Sequence, residues 1–532
     1  MKSFLLTTIV LSYSFPVNGW PQLRNGLSFS RDELQAEDII ADVTSRGLPD
    51  VDETLSWGTL PVPQLTRPEA AGNQQATKSG EVPGFKPSQQ GDVKRELSGG
   101  GISPGLMTLP VLHFERPSLD KRGLEVKLEN RSDVAYYVQL SIGNPAQKVL
   151  AQLDTGSFEL WVNPDCRNLS FGDKQFCREV GIYDPSASSS SKISRLGKEL
   201  RYGIGSANVT YVVDDIALGS SEQMKQVQFG VARSTKDQFS GILGLGHGSG
   251  VNTGYKNFVD QLADQKVTKS KAYSVALGSK SDKSGVVVFG GVDTGKFSGR
   301  LAALPLIPGN KSPDGVTRFW VNMTSMQHTS AAGETTDLTT KTLPVFIDSG
   351  ATLTLLPAAL ANATARSIGA RALSKEGFYM MNCGLAKSNG TINFNFNGVS
   401  IRVPYREIIR EVPTSPPSCY LGIMPSQSFT LLGDTFMRSA YVVFDISNNM
   451  TYLAPYANCG SNTQLIDAST NMKSIVGACS AQQGSEISQL VDDPEGVINA
   501  NDNNGNGAGS AGISWRCLST LAIGALTLQA WL

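Results

Sequence analysis

Two segments far apart in the chain share one arrangement, an apolar run that ends in Asp, a hydroxyl residue and Gly. The first is AQLDTGSFELWV at residues 151–162, and the second is VFIDSGATLTLLP at residues 345–357. Each is followed at a similar spacing by a related segment, FSGILGLG at residues 239–246 and FTLLGD at residues 429–434. This repetition predicts an internal duplication, with two similar lobes and a site between them.

The residues around the two turns follow the pattern of a β protein. Between about residues 123 and 455, runs rich in Val, Ile, Tyr and Phe are separated by Gly, Asn and Pro. Only two short helical patterns interrupt them, at residues 255–265 and 357–369. We therefore predict an all-β, bilobal body, with an N-terminal lobe over residues 123–307 and a C-terminal lobe over residues 308–458.

The two turns carry a specific chemical prediction. Thr155 and Ser349 can hydrogen-bond across or back onto the turns and fix them. If a pseudo-twofold axis relates the lobes, Asp154 and Asp348 meet, and two carboxyls that close share one proton and titrate as a unit. The charged carboxyl can then take a proton from a water while the neutral one polarises a peptide carbonyl. The pattern predicts peptide hydrolysis without a covalent intermediate.

These motifs resemble those of the pepsin family (A1) of aspartic proteases, nearest the fungal GPI-anchored yapsin-like branch, over roughly residues 134–456. The resemblance implies a double β-barrel with a cleft between the lobes and a β-hairpin flap. LRYGIGS at residues 200–206 resembles the flap, with Tyr202 as the flap tyrosine. Trp161 falls at the position whose indole N–H bonds that tyrosine.

The resemblance also assigns roles to the neighbouring residues. Asp154 and Asp348 are implied to be catalytic, with support from Thr155, Ser157, Ser349, Tyr202 and Trp161. The implied substrate-binding residues are Gly156, Gly203, Ile204, Gly350 and Thr352. We expect peptide or protein substrates, no cofactor, no metal and a monomer.

Substrate preference is the least determined part of this interpretation. Yapsin-like relatives favour sites beside Lys or Arg, which makes cleavage at basic sites one hypothesis. Glu159, Asp214 and Asp215 are candidates for an acidic subsite, and solvated surface charge is the alternative role for each.

The turns also depart from the family pattern. Phe158 and Glu159 stand where the family usually has small residues, Ser or Asp. Ser157 can donate a hydrogen bond to the outer oxygen of Asp154, whereas the matching Ala351 has no hydroxyl. Because a lost donor raises the pKa of a carboxyl, we expect a pH optimum less acidic than that of a relative with Thr at this position.

The N-terminal region reads as two segments that are removed. Residues 1–19 contain Lys2, an apolar run and small residues, which is typical of a secretory signal peptide. Residues 20–122 are polar, rich in Pro, Gly and Gln, and are predicted to be a propeptide. Processing is expected after Arg122 of the pair Lys121-Arg122, and Lys94-Arg95 is a second candidate.

The C-terminal region reads as a polar stalk over residues 459–506 and a GPI-anchor signal over residues 507–532. Asn506, followed by Gly507 and Ala508, is the candidate anchor residue. The alternative is a plain membrane helix, which is disfavoured because the apolar tail is short for a bilayer. The protein is therefore expected at the outer plasma membrane or cell wall.

Cysteines and glycosylation sequons agree with a secreted chain. Six of the seven cysteines can pair, and their order favours Cys166–Cys177 and Cys383–Cys419, with Cys459–Cys479 left open as the third pair. The remaining Cys517 lies in the predicted anchor signal. N-x-[ST] sequons occur at Asn130, Asn168, Asn208, Asn310, Asn322, Asn362, Asn389 and Asn449.

Other functional classes fit less well. A net charge of −1 without a basic stripe gives no indication of nucleic-acid binding. GISPG at residues 101–105 matches a serine-hydrolase motif but lies in the predicted propeptide, and H-E-x-x-H is absent from the sequence. A glycosidase also uses two carboxylates, but it does not predict duplicated turns or a flap. The serious alternative is a non-catalytic cell-wall binding protein on the same fold.

Overall fold

The computed structural model describes residues 102–103, 105–115, 134–167, 171–218, 223–238, 240–282, 284–370, 373–374, 377–412, 417–428 and 430–480. Within these ranges no helix is long and apolar enough to cross a membrane. The predicted features outside them are the signal peptide, most of the propeptide with both dibasic pairs, the stalk beyond residue 480, the GPI-anchor signal, Asn130, Asn168, Asn506 and Cys517.

The described residues form 27 strands and five α-helices. The strands from β1 to β13 are β1 (Ile102–Ser103), β2 (Leu106–Glu115), β3 (Val134–Ile142), β4 (Gln147–Asp154), β5 (Leu160–Val162), β6 (Lys192–Arg201), β7 (Ser206–Leu218), β8 (Met224–Lys236), β9 (Gly241–Gly244), β10 (Ala272–Ala276), β11 (Ser284–Phe289), β12 (Gly291–Asp293) and β13 (Ala302–Pro305).

The later strands are β14 (Trp320–Thr329), β15 (Thr335–Thr339), β16 (Leu343–Ile347), β17 (Thr354–Pro357), β18 (Met380–Met381), β19 (Thr391–Phe396), β20 (Val399–Pro404), β21 (Ile409–Val412), β22 (Ser418–Leu421), β23 (Ile423–Ser426), β24 (Leu431–Leu432), β25 (Ala440–Asp445), β26 (Met450–Pro455) and β27 (Thr463–Leu465). The helices are α1 (Phe171–Val180), α2 (Phe258–Asp264), α3 (Ala358–Ser367), α4 (Tyr405–Ile408) and α5 (Asp434–Met437). Helices α2 and α3 lie within the two predicted helical patterns.

One large sheet joins the two halves of the chain. Its strand order is β13-β26-β25-β10-β11-β2-β3-β4-β9-β5-β8-β7-β6, so strands β25 and β26 of the second half pair with strands β10 and β13 of the first. The C-terminal lobe has its own sheet of order β20-β19-β14-β16-β24-β17-β23. The main apolar core includes residues of both lobes, such as Leu153 and Ile347, and both are fully buried.

The duplication predicted from the sequence appears in the strand pairing. In the first lobe β4 pairs in parallel with β9, and β9 pairs antiparallel with β5. In the second lobe β16 pairs in parallel with β24, and β24 pairs antiparallel with β17. Each Asp therefore leaves a buried strand of the same local topology, and the all-β, bilobal prediction is confirmed.

Strand β2 lies within the range that the sequence assigns to the propeptide. It is hydrogen-bonded between β11 and β3 inside the large sheet, and its apolar side chains, including Met107 and Val111, are buried. Composition could not indicate this, because the strand is a short apolar run within a long polar region. The folded body therefore includes residues 106–115.

The folded body also extends beyond the predicted lobe end at residue 458. Strand β27 pairs with β12, and Ile466, Met472 and Ile475 are buried in a second apolar cluster. Burying each such side chain stabilises the fold by roughly 1.5–3 kcal/mol. The residues between these buried side chains are polar, which is why the composition of the segment predicted a stalk. In the structure, residues 459–480 pack on the body.

Candidate active site

The first Asp-Thr-Gly turn begins at Asp154, the last residue of β4. Asp154 pairs with Gly244 in the parallel ladder, and its backbone oxygen accepts a 2.8 Å hydrogen bond from Leu245 N. A Cβ on Gly244 would lie 2.4 Å from Glu159 N. Residue 244 must therefore be glycine for strand β9 to pass this close to the turn. The apolar strand and its neighbour therefore fix the direction in which Asp154 leaves the sheet.

The second turn is built in the same way. Asp348 follows β16 directly, and its backbone N donates to Leu432 O at 3.0 Å. Gly433 is the counterpart of Gly244, because a Cβ there would lie 2.3 Å from Ala351 O. The segments GILG and LLG thus serve one purpose in each lobe, to let a strand pass close behind the turn that carries the Asp.

The two turns are cross-linked by their hydroxyl residues. Thr155 Oγ1 donates to Ile347 O at 2.9 Å, and Ser349 Oγ donates to Leu153 O at 2.8 Å. The backbone N of Ser349 donates to Thr155 Oγ1 at 3.0 Å, and the backbone N of Thr155 donates to Ser349 Oγ at 3.2 Å. This reciprocal set of four hydrogen bonds is buried, and it fixes the two turns rigidly against each other.

The two carboxyls meet between the turns, each against the glycine of the opposite turn. A Cβ on Gly156 would lie 2.4 Å from Asp348 Oδ1, and a Cβ on Gly350 would lie 2.4 Å from Asp154 Oδ1. The backbone N of Gly156 donates to Asp154 at 2.8 Å, and that of Gly350 donates to Asp348 at 2.9 Å. Glycine is required in both turns because each carboxyl occupies the space of the other turn's side chain.

The surroundings of the two carboxyls act differently on the pKa of each. Burial raises the pKa of both carboxyls. For Asp154, hydrogen bonds from Ser157 and Gly156 oppose this effect and favour the charged form. For Asp348, burial and the charge of Asp154 raise the pKa to about 8. These effects favour the charge on Asp154 and the proton on Asp348.

Ser157 accounts for much of this asymmetry. Its Oγ donates to Asp154 Oδ2 at 2.5 Å, a short charge-assisted hydrogen bond. The corresponding position in the second turn is Ala351, whose side chain has no donor for Asp348. The two aspartates therefore occupy equivalent backbone positions, but the hydroxyl that Ser157 offers to Asp154 has no counterpart at Ala351.

Strands β6 and β7 form the hairpin that the sequence assigned to the flap. Tyr202 N donates to Gly205 O at 3.1 Å and closes the tip, and Trp161 Nε1 donates to Tyr202 Oη at 2.6 Å. Gly205 has φ +80°, and a Cβ there would lie 2.1 Å from Lys236 O. Ile204 at the tip is 45% exposed and Gly203 is also exposed. Thr352 is half-buried just beyond the second turn.

Comparison with known proteins identifies the family. The sequence profile described as "Eukaryotic aspartyl protease" matches residues 135–456. The chain belongs to the eukaryotic aspartyl protease family. It is therefore an aspartic-type endopeptidase, a peptide hydrolase.

Individual relatives agree with this assignment. The chain is 31% identical over 392 residues to the "Probable aspartic-type endopeptidase opsB" of Aspergillus oryzae, covering 70% of this chain and 78% of that protein. It is 35% identical over 344 residues to "Secreted aspartic protease 8" of Candida albicans, covering 63% and 79%. The crystal structure of aspartic proteinase from Irpex lacteus aligns with a TM-score of 0.51 at 20% identity, over 66% of this chain and 97% of that one. This last similarity confirms the pepsin-like fold.

Arg318 is a residue of this aspartyl protease that sequence reasoning missed. Its Nη1 donates to Gly156 O beside Asp154, and its Nε bonds Asp314 Oδ2 at 2.7 Å. The guanidinium lies 5.1 Å from the ring centroid of Phe158 and 5.5 Å from that of Phe346. Its positive charge lowers the pKa of both Asp154 and Asp348. No local motif marks Arg318, because its role depends on a contact between distant parts of the chain.

The three acids considered for a basic-site pocket all have partners. Asp214 accepts from the Tyr183 and Ser190 hydroxyls at 2.6 Å each, and Asp215 lies 3.0 Å from Lys225 Nζ. Glu159 is buried and lies 2.7 Å from Lys198 Nζ. Each of the three carboxylates is therefore already bound by a donor group within the folded protease.

The structure forms three disulfides and leaves the described sequon asparagines exposed. Disulfides join Cys166 to Cys177, Cys383 to Cys419 and Cys459 to Cys479. Six sequon asparagines are in the part of the chain that the structure describes, and all six are exposed: Asn208, Asn310, Asn322, Asn362, Asn389 and Asn449. A glycosyltransferase could reach each of these side chains in the folded protein.

Proposed function

We propose that Asp154 and Asp348 are the catalytic residues of this endopeptidase and that its nucleophile is a water. The observation that carries this proposal is the meeting of two carboxyls, the buried Asp154 of one lobe and the half-buried Asp348 of the other, each against the glycine of the opposite turn. A single buried carboxyl could cap a turn, but two in contact cost stability unless they share a proton. Their position at the ends of two cross-linked turns supports a catalytic role.

The asymmetry of the pair assigns the steps. Asp154 carries the charge and takes a proton from water as the water oxygen attacks the peptide carbonyl carbon. Asp348 gives its proton to the carbonyl oxygen, and a neutral tetrahedral intermediate forms. The proton held by Asp154 then passes to the amide nitrogen, a proton of the intermediate returns to Asp348, and the C–N bond breaks. General acid–base catalysis of this kind contributes roughly 10²–10⁴-fold.

We further assign substrate contacts to the turns and the flap. Gly156 and Gly350 lie directly beside the two carboxyls, and Gly203 and Ile204 are exposed at the flap tip. Thr352 follows the second turn. Tyr202, held by Trp161, covers the scissile bond, and Thr155, Ser157 and Ser349 support the carboxyls.

A preference for sites beside Lys or Arg needs a carboxylate free to bind the substrate cation. Glu159, Asp214 and Asp215 do not support it, because each is already bound within the body. Profiling a peptide library with the purified protein tests the preference. Enrichment of Lys or Arg at one position would establish it, and equal cleavage of basic and neutral peptides would refute it.

Maturation and attachment are proposed from the sequence. We propose a secreted monomer with a signal peptide over residues 1–19, processing after Arg122, and a GPI anchor on Asn506. The three disulfides and six exposed sequons support passage through the secretory pathway. Phosphatidylinositol-specific phospholipase should release the protein from cells. N-terminal sequencing of the released form distinguishes processing after Arg122 from processing after Arg95. Strand β2 stays covalently attached to the mature protein only if the chain is cut after Arg95 and not after Arg122.

The experiment that tests the catalytic proposal compares the purified wild type with Asp154→Asn. The wild type should cleave peptides, a statine-type transition-state mimic should block it, and the variant should retain its fold without activity. An alternative function, a non-catalytic cell-wall binding protein, predicts that neither form cleaves peptides. Full activity in a folded Asp154→Asn variant would contradict the proposal.

A further inference from the structure

Glu159 occupies a position that the catalytic chemistry does not explain. It follows the first catalytic turn and directly precedes β5, and it is only 6% exposed. A buried carboxylate is costly unless it is fully hydrogen-bonded. Its partners therefore indicate what the residue does.

Both oxygens of Glu159 are bound by donors from other elements. Oε1 accepts from Lys198 Nζ at 2.7 Å. Oε2 accepts from Tyr211 Oη at 2.6 Å and from Tyr255 Oη at 2.8 Å. These are charge-assisted hydrogen bonds, about twice as strong as those between neutral groups.

Two of these donors come from the two arms of the flap. Lys198 belongs to β6, the outer arm, and Tyr211 belongs to β7, the inner arm. The ring of Tyr255 meets the ring of Tyr211 edge-on at 5.4 Å and packs in the same apolar cluster as Trp161. One carboxylate therefore ties both arms of the hairpin to the loop that carries the catalytic turn.

The outer arm has few other attachments. Along β6 only Leu200 is buried, and the register against β7 shifts between Ile193 and Gly197. Among the side-chain hydrogen bonds of this described strand, that of Lys198 is the one that reaches the catalytic loop. The tip is held separately, by the bond from Trp161 to Tyr202.

We propose that Glu159 is a positioning residue that anchors the base of the flap to the catalytic loop and thereby sets the closed position of Tyr202. Trp161 and Glu159 are two residues apart, so the tip and the base of the flap are tied to the same short segment. This inference rests on the proposed function, because it assigns the flap to substrate closure. A flap loosened at its base spends less time closed, and the apparent substrate affinity falls by the closed fraction.

The test uses Glu159→Gln and Lys198→Met, with Asp215→Asn as the matched control. Asp215 is also a buried acid on the flap sheet paired with an exposed lysine, with side-chain exposures of 10% and 63% against 7% and 44% for Glu159 and Lys198. Its partner Lys225 lies on β8, and its Nζ donates to Asp215 and Gln223 rather than to a residue of the catalytic loop. Any general effect of breaking such a pair should appear in the control.

Three measurements are made on each folded protein: kcat, KM, and hydrogen exchange of the backbone amides of residues 198–209. For Glu159→Gln and Lys198→Met we expect KM to rise about tenfold, equivalent to about 1.4 kcal/mol, with kcat within about twofold of the wild type. Exchange in the flap should quicken by a similar factor. Asp215→Asn should leave KM and flap exchange at the wild-type values.

Unchanged KM and flap exchange in both variants would overturn the proposal, and so would an equal rise in KM in the control. Lys198→Met decides alone if Glu159→Gln does not fold, because it keeps the buried carboxylate and both tyrosine donors. If the wild type cleaves no peptide, the catalytic proposal fails, but flap exchange still tests the anchor. The two failures are therefore distinguishable.

Discussion

The unmatched hydrogen-bond donors of the two catalytic turns should control the two limbs of the pH profile separately. Ser157 donates to the charged Asp154, whereas Ala351 offers no donor to the protonated Asp348. Ser157→Ala removes a donor from the charged carboxyl, so the pKa of Asp154 should rise. Ala351→Ser adds a donor that favours ionisation of Asp348, so its pKa should fall from about 8.

The size of each shift follows from the strength of the bond. A hydrogen bond to a charged group is worth about 1.5–3 kcal/mol, and one pKa unit corresponds to 1.36 kcal/mol. Because the pair shares its charge, part of each gain passes to the partner, and the lower end of the range applies. We therefore expect shifts of about one pH unit in each variant.

The assay is kcat/KM against pH, whose limbs report the ionisations of the free enzyme. Ser157→Ala should move the acid limb to higher pH, and Ala351→Ser should move the basic limb to lower pH. Ala351→Thr should move the optimum in the same direction as Ala351→Ser. If each variant shifts both limbs equally, or if Ala351→Ser shifts the basic limb upward, the assignment of charge to Asp154 and proton to Asp348 is wrong.

Three further predictions concern charge, stability and the C-terminal segment. Arg318→Met should move both limbs of the pH profile to higher pH by roughly half to one unit, because the guanidinium lowers both carboxyl pKa values, and Arg318→Lys should largely restore the profile. The raised pKa of Asp348 contributes stability below pH 3.8 that is lost as pH rises towards about 8, by at most about 1.4 kcal/mol per pH unit. Urea unfolding should therefore show a smaller loss of stability over this range in Asp348→Asn, and equal slopes in both proteins would contradict the sign. Replacing Cys459 and Cys479 together by Ser should lower the free energy of unfolding by about 3 kcal/mol, and an unchanged urea midpoint would show that residues 459–480 do not brace the body.

The duplicated turns allowed the fold class to be predicted, because they carry a physical requirement in a few adjacent residues. Asp154 and Asp348 each need an apolar strand before them and a glycine after them, and both features are local. The hairpin around Tyr202 was similarly marked by glycines at its tip. The strand pairing of both lobes then followed the expected duplication.

Features that depend on distant contacts could not be read in this way. Arg318 acts on Gly156 from another part of the chain, and only the packed structure brings them together. The sequence around Glu159 is equally compatible with a surface acid, and only the structure shows the three donors that bind its carboxylate. Residues 106–115 and 459–480 are folded because partner strands cover them, although their surroundings have the composition of unstructured chain.

The central claim is that Asp154 and Asp348 share a single proton, with the proton on Asp348. Isotope-edited infrared difference spectra of the free enzyme, taken at a pH between the two limbs of its activity profile, measure this directly. Wild type minus Asp348→Asn should show a protonated carboxyl band, and wild type minus Asp154→Asn should show a carboxylate band. Carboxylate bands in both differences would mean that both acids are ionised, and the proposed mechanism would fail.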